Sequence, residues 1–99
     1  MNRQLWAYDE EVFFNFFCVT FQNLETGQKH YYEVSSRRND TEQLQLFLSF
    51  LSGYLVSFNG ADYDDIILSY WYQENPSLAE LKAFSDSVIQ RNEEAYKYY

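Results

Sequence analysis

Tyr54-Leu55-Val56-Ser57-Phe58 decides the fold, because this short apolar run follows a helical pattern and not a turn. Just upstream, Leu44, Phe47, Leu48 and Leu51 recur at i, i+3, i+4 and i+7, the apolar stripe of a helix that faces a sheet. Gly53 stands where a C-terminal glycine cap belongs. A strand reached through a helix pairs in parallel with an earlier strand, by a right-handed crossover. The earlier strands lie at Arg3 to Tyr8, Phe16 to Gln22 and His30 to Ser35. Turn chemistry over Asn23 to Gln28, with Gly27 free to take positive φ, joins the second to the third, so these strands read as an antiparallel meander. Asp40 or Thr41 caps the first helix. Beyond the fourth strand, Asp65 to Tyr72 reads as a short helix. Asn75 and Pro76 then open a longer one, with Asn75 as N-cap and Pro76 at its first helical position. The order βββαβαα makes residues 1–99 one α+β domain, with the fourth strand parallel to the first and the helices packed on the sheet.

That parallel pairing matters for the charges. Tyr8-Asp9-Glu10-Glu11 follows the first strand, and Asn59-Gly60-Ala61-Asp62-Tyr63-Asp64-Asp65 follows the fourth. Together the two segments hold six of the fifteen acidic residues, so side-by-side parallel strands would bring them to one sheet edge. Carboxylates held about 4 Å apart repel by roughly 4 kcal/mol per pair at an effective dielectric near 20. Solvation, protonation or bound divalent cations can relieve that repulsion. Alternate residues of a strand share a face, so Asp9 and Glu11 project together and Glu10 points the other way. Two carboxylates from one strand and a third from its neighbour are the least that holds two hard cations. Such a pair can activate water and stabilise the leaving oxygen of a phosphodiester displacement. Read from the residues alone, Asp9 and Glu11 are either that site or a solvated turn. Asp62 and Asp65 read as acids favourable at the start of the following helix.

Composition narrows the classes. The chain has 99 residues, ten Tyr and nine Phe, enough apolar material for one small core. Cys18 is the single cysteine, which excludes an internal disulfide and a multi-cysteine zinc site; it reads as an inert core thiol. His30, the single histidine, lies in a strand with no Ser/His/Asp or Cys/His set to join, and reads as a surface or edge-strand residue. No run of 18 apolar residues and no signal-peptide pattern is present, so a soluble cytoplasmic chain is expected, with no membrane partner. A net charge of −8 opposes a free-standing nucleic-acid binder unless metal ions invert the local field. Trp71 and Tyr72 read as core or interface aromatics.

Asp9-x-Glu11 after an apolar strand resembles the first motif of the DEDD 3′–5′ exonucleases, and Asn59-x-x-x-Tyr63-Asp64 resembles the second. The wording around both is similar to the proofreading exonuclease domains of bacteriophage-type DNA polymerases, and the likeness extends over nearly the whole chain. It implies a ribonuclease H-like fold and a metal-dependent exonuclease of DNA replication, acting on the 3′ end of single-stranded DNA in the host cytoplasm. By the same resemblance Asp9, Glu11 and Asp64 bind two Mg²⁺ or Mn²⁺ ions, with Glu11 also orienting the attacking water. Asn59 contacts the substrate strand and Tyr63 packs beneath the site. Two departures stand out. The position between the first two acids, usually apolar, is Glu10, which implies that the strand ends or bulges there. The third motif has no counterpart, since no Tyr-x-x-x-Asp or His-x-x-x-x-Asp follows residue 65. The resemblance therefore implies a shortened domain, or one completed by a protein partner or a second copy. A catalytically inactive interaction module of the same fold is the alternative.

Overall fold

The computed structural model describes residues 4–51, 53–57 and 63–89. Its elements in chain order are β1 (Gln4–Phe13), β2 (Phe16–Asn23), β3 (Lys29–Ser35), α1 (Thr41–Phe50), β4 (Gly53–Val56), α2 (Asp64–Glu74) and α3 (Leu78–Ile89). The strands form one mixed sheet in the order β3-β2-β1-β4. β1 to β3 are the expected antiparallel meander, and β4 joins β1 in parallel, with Gln4 opposite Gly53 and Ala7 opposite Val56. The α+β class and the sheet connectivity agree with the sequence reading.

β1 is longer than its apolar stretch. It was expected to stop at Tyr8, at the acids, yet it runs without a bulge to Phe13. Asp9, Glu10 and Glu11 pair in unbroken register with Thr20, Val19 and Cys18. A two-residue loop, Phe14-Asn15, then closes the hairpin, and the Phe13 and Phe16 rings meet at 6.2 Å between centroids. Continuous backbone pairing with the strongly β-forming β2 outweighs the cost of carrying acids into the sheet.

Two caps also differ. Gly53 does not end α1, whose C-cap is the extended Leu51; it opens β4 at φ +136°. A Cβ on Gly53 would lie 2.0 Å from the Gln4 carbonyl oxygen, so the glycine is required by the close approach of β4 to β1. Asn75 does not start α3. It ends α2 in the left-handed conformation at φ 47°, with its N–H donating to the Trp71 carbonyl at 3.0 Å. α3 is started by Ser77, in a reciprocal capping box. The Glu80 N–H donates to Ser77 Oγ at 3.2 Å, and the Ser77 N–H donates to Glu80 Oε1 at 3.0 Å.

The core lies between one face of the sheet and the helices. Trp6, Tyr8, Phe17, Val19 and Phe21 meet Leu44 of α1, Ile66, Ile67 and Trp71 of α2, and Leu81 and Val88 of α3. The Phe21 and Phe47 rings pack at 4.5 Å with a 38° tilt, and Phe17 packs on Trp71 at 5.8 Å. His30 on edge strand β3 has its ring 5.6 Å from Trp6 and 5.0 Å from Phe47, an aromatic packing role. Trp71 is a core residue, whereas Tyr72 is exposed. On the other face Leu5, Tyr54 and Val56 are exposed, whereas Cys18 and Glu33 are covered. Replacing Gly53 by alanine is expected to lower stability by about 2 kcal/mol or more, through backbone strain and displacement of the Gln4 peptide. Urea denaturation of the two proteins measures it, and equal midpoints would contradict the close approach.

Candidate functional site

The β1–β4 ladder ends with Val56 opposite Ala7, so the chain leaving β4 departs beside Tyr8 and Asp9. It returns at Tyr63 and starts α2 with Asp64 and Asp65. Strand alternation then sorts the acids of β1. Asp9 and Glu11 are exposed, whereas Glu10 turns to the helix-covered side and is only 6% exposed. Asp64, at the first turn of α2, is 1% exposed. Neither carboxylate oxygen of Glu10 has a hydrogen-bond partner, nor does Asp64 Oδ2. The Tyr8 hydroxyl donates to Asp65 Oδ1, and the Tyr63 and Ser85 hydroxyls share a hydrogen bond of 2.7 Å.

The electrostatics follow from this crowding. Burial pushes the Glu10 pKa well above the carboxylate range, and the charges of Asp64, Asp65 and Asp9 push it further. Asp64 is raised to about 6, first by burial. The Ser57 hydroxyl pulls it back, and the charges of Asp9 and Asp65 add to the rise. Ser57 Oγ is close enough to act on Asp64, yet it makes no well-formed hydrogen bond. Tyr8 is held protonated by burial and by its bond to Asp65. Burial also raises Tyr63, which feels the charges of Glu10 and Asp64.

Asp9 and Asp64, both expected in the site, thus act on one another. Tyr63 adjoins them, bonded to Ser85 of α3. Glu11 sits across the ladder from Cys18, a buried thiol whose pKa is raised by burial and then by the Glu11 charge. Asn59 and Asp62 lie outside the described residues. The residues that sequence reasoning passed over are Glu10, Tyr8 and Asp65. Their signal was parity: Tyr8 and Glu10 share the face of Trp6, a core position.

Among the described residues no three His, Cys, Asp or Glu side chains form a ready-made ligand group. Magnesium, however, is commonly held by one or two carboxylates, with water and substrate phosphate supplying the rest. Bare, buried carboxylate oxygens on Glu10 and Asp64 are hard donors of that kind, so the donor set fits Mg²⁺ or Mn²⁺. Beside them, a cleft of about 550 Å³ opens between α1, β4 and α2, lined by Tyr8, Leu48, Tyr54, Asp65, Leu68 and Tyr72. The Tyr72 and Ser49 hydroxyls bridge its rim at 2.9 Å. No protein-family model matches the chain, and comparisons with curated proteins and with solved structures gave no match either.

The raised pKa of Asp64 carries a sign. Its neutral form is favoured by folding, so its contribution to stability is greatest below the ordinary value of 3.8 and is lost as pH rises through about 6. With divalent ions chelated, Asp64→Asn is expected to stabilise the fold near pH 8, on the order of 1 kcal/mol or ~4–8 °C in Tm, and to have little effect near pH 4. Thermal melts of both proteins across that range test it. A variant that melts lower at pH 8 would contradict the strain assigned to Asp64.

Proposed function

We propose that this domain is a metal-dependent 3′–5′ exonuclease of the DEDD type, built on a ribonuclease H-like sheet and acting on single-stranded nucleic acid. The observation that carries the reading is the parallel β1–β4 pair, which sets the Asp9 strand beside the start of α2, where Asp64 lies. The charge of Asp9 acts on Asp64 there, while Glu11 lies across the ladder from Cys18. In this reading Asp9, Glu11 and Asp64 hold Mg²⁺ or Mn²⁺. Bound ions of this kind supply a water of lowered pKa and neutralise charge gathering on the scissile phosphate. Glu11 orients the attacking water. The bond that breaks joins phosphorus to the O3′ of the penultimate nucleotide, which releases a 5′-mononucleotide. Asn59 fixes the 3′-terminal nucleotide and Tyr63, tied to Ser85, props the start of α2 beneath it.

The overall charge of −8 makes the affinity for nucleic acid depend on the metal, since phosphate would otherwise meet a field of its own sign. Among the described residues no helix is long and apolar enough to cross a membrane, and the cytoplasm, where replication intermediates occur, is the proposed location. A second reading has its own support. Exposed Phe13, Phe14, Tyr54 and Val56 favour a protein-binding module of the same fold.

A 5′-labelled single-stranded oligonucleotide incubated with Mn²⁺ separates the two. A ladder shortened from the 3′ end is expected from the parent, slowed by about 100-fold or more in Asp9→Asn and Asp64→Asn. No ladder from the parent, or equal ladders from all three proteins, would overturn the nuclease reading and leave the binding module.

A further inference from the structure

Glu10 is the residue that the exonuclease motif does not account for. It stands between the two acids of the first motif, yet its side chain lies on the opposite face of β1 from both. It is more than nine-tenths buried, and both its oxygens are bare. Asp64, whose charge acts on Glu10, is more deeply buried still and presents a second bare oxygen, Oδ2. Asp65 is occupied by the Tyr8 hydroxyl.

This chain does satisfy a buried glutamate elsewhere. Glu33 on β3 is fully buried and accepts hydrogen bonds from Tyr31 at 2.5 Å, Ser35 at 2.7 Å, and the Arg37 guanidinium at 2.7 and 2.8 Å. Nothing equivalent serves Glu10. Lys and Arg side chains carry the fold's other described ion pairs, Arg38 with Asp40 and Lys82 with Asp86, and neither pair involves the acids around Tyr8. Protonation alone would leave a buried hydroxyl with no acceptor on one oxygen and an empty acceptor on the other. A divalent cation answers both oxygens and the opposing charge of Asp64 at once.

We infer that Glu10 and Asp64 clamp a divalent cation from opposite sides of the β1–α2 junction, with Glu10 a ligand in its own right. The inference rests on the metal-dependent reading of this site and deepens it, sharing Asp64 with that reading while Glu10 approaches from the face of β1 opposite Asp9 and Glu11. Two carboxylates and retained water suffice for such an ion, which agrees with the lack of a three-residue ligand group among the described residues. It also gives the position a requirement that an apolar residue could not meet.

The test uses the full chain and Mn²⁺ alone, with no nucleic acid. Mn²⁺ binding is followed by calorimetry and by loss of the free-ion electron paramagnetic resonance signal, for the parent, Glu10→Gln and Asp64→Asn. Melting in chelator and in Mn²⁺ accompanies each titration. Glu10→Gln is expected to melt at or above the parent in chelator, because a buried charge is removed. It should bind Mn²⁺ at least about tenfold more weakly and lose the rise in Tm that the ion gives the parent. Glu10→Leu, which asks nothing of a polar partner, serves if the glutamine variant folds poorly, with the same loss expected. Unchanged Mn²⁺ affinity in a folded Glu10 variant, alongside weakened binding in Asp64→Asn, would overturn the inference and leave the metal site of the proposed nuclease standing. A parent that binds no Mn²⁺ would overturn both the inference and that metal site.

Discussion

The pairing of β4 against β1 is the constraint on which the site depends. It is only four residues long, and at its start the two backbones come so close that Gly53 has no room for a side chain. That ladder fixes where the chain leaves the sheet, and therefore where α2 begins. Ile66, Ile67 and Trp71 then anchor α2 on the sheet through complete burial, each apolar side chain contributing about 1.5–3 kcal/mol. With both ends of the connection fixed, Asp64 and Asp65 have no freedom to retreat from β1. The acids are held together by packing energy that has nothing to do with them.

Two buried glutamates on one sheet show what the fold does with charge. Glu33 is wrapped by Tyr31, Ser35 and a bidentate Arg37, and these bonds hold its carboxyl well below the usual range. Glu10, on the helix-covered face, has neither a donor nor a basic partner among the described residues, and is pushed the opposite way. A sequence that solves the problem at one strand and leaves it open at another is not short of donors in general. The open carboxylate lies where the charges of acids from two separate elements act on one another. Local conflict of this kind, inside an otherwise consistent fold, is where function is to be sought.

Much of this architecture was legible in the chain. The meander followed from alternating β-branched and aromatic runs around turn residues, and the parallel fourth strand followed from the helix before it. What escaped were features decided by partners distant in sequence. Asp9 to Glu11 look like a strand end until Val19 and Cys18 are known to pair with them. Gly53 looks like a helix cap because the Gln4 carbonyl that excludes a Cβ lies on another strand. Asn75 before a proline imitates an N-cap, and only the Ser77–Glu80 box shows where α3 starts. That box was a readable signal; the strand contacts were not. In the site, Asp64 was reachable through its spacing from Asn59, whereas the burial of Glu10 depends on helices covering its face of β1, α3 among them.

The consequence is a trade between stability and chemistry that the fold itself enforces. Asp64 with a pKa near 6, beside a Glu10 also pushed well above its ordinary value by burial, puts two acids where the fold disfavours their charged forms. On the proposed function a bound cation would stabilise the ionised form that the protein disfavours, so that metal uptake would release protons and the affinity for the ion would rise with pH. A more comfortable arrangement, with Glu10 bonded as Glu33 is, would make a more stable domain and a poorer receptor for a cation. The incomplete bonding of the β1–α2 junction is therefore the physical reason to look for the chemistry there, and not at the satisfied edge formed by β3.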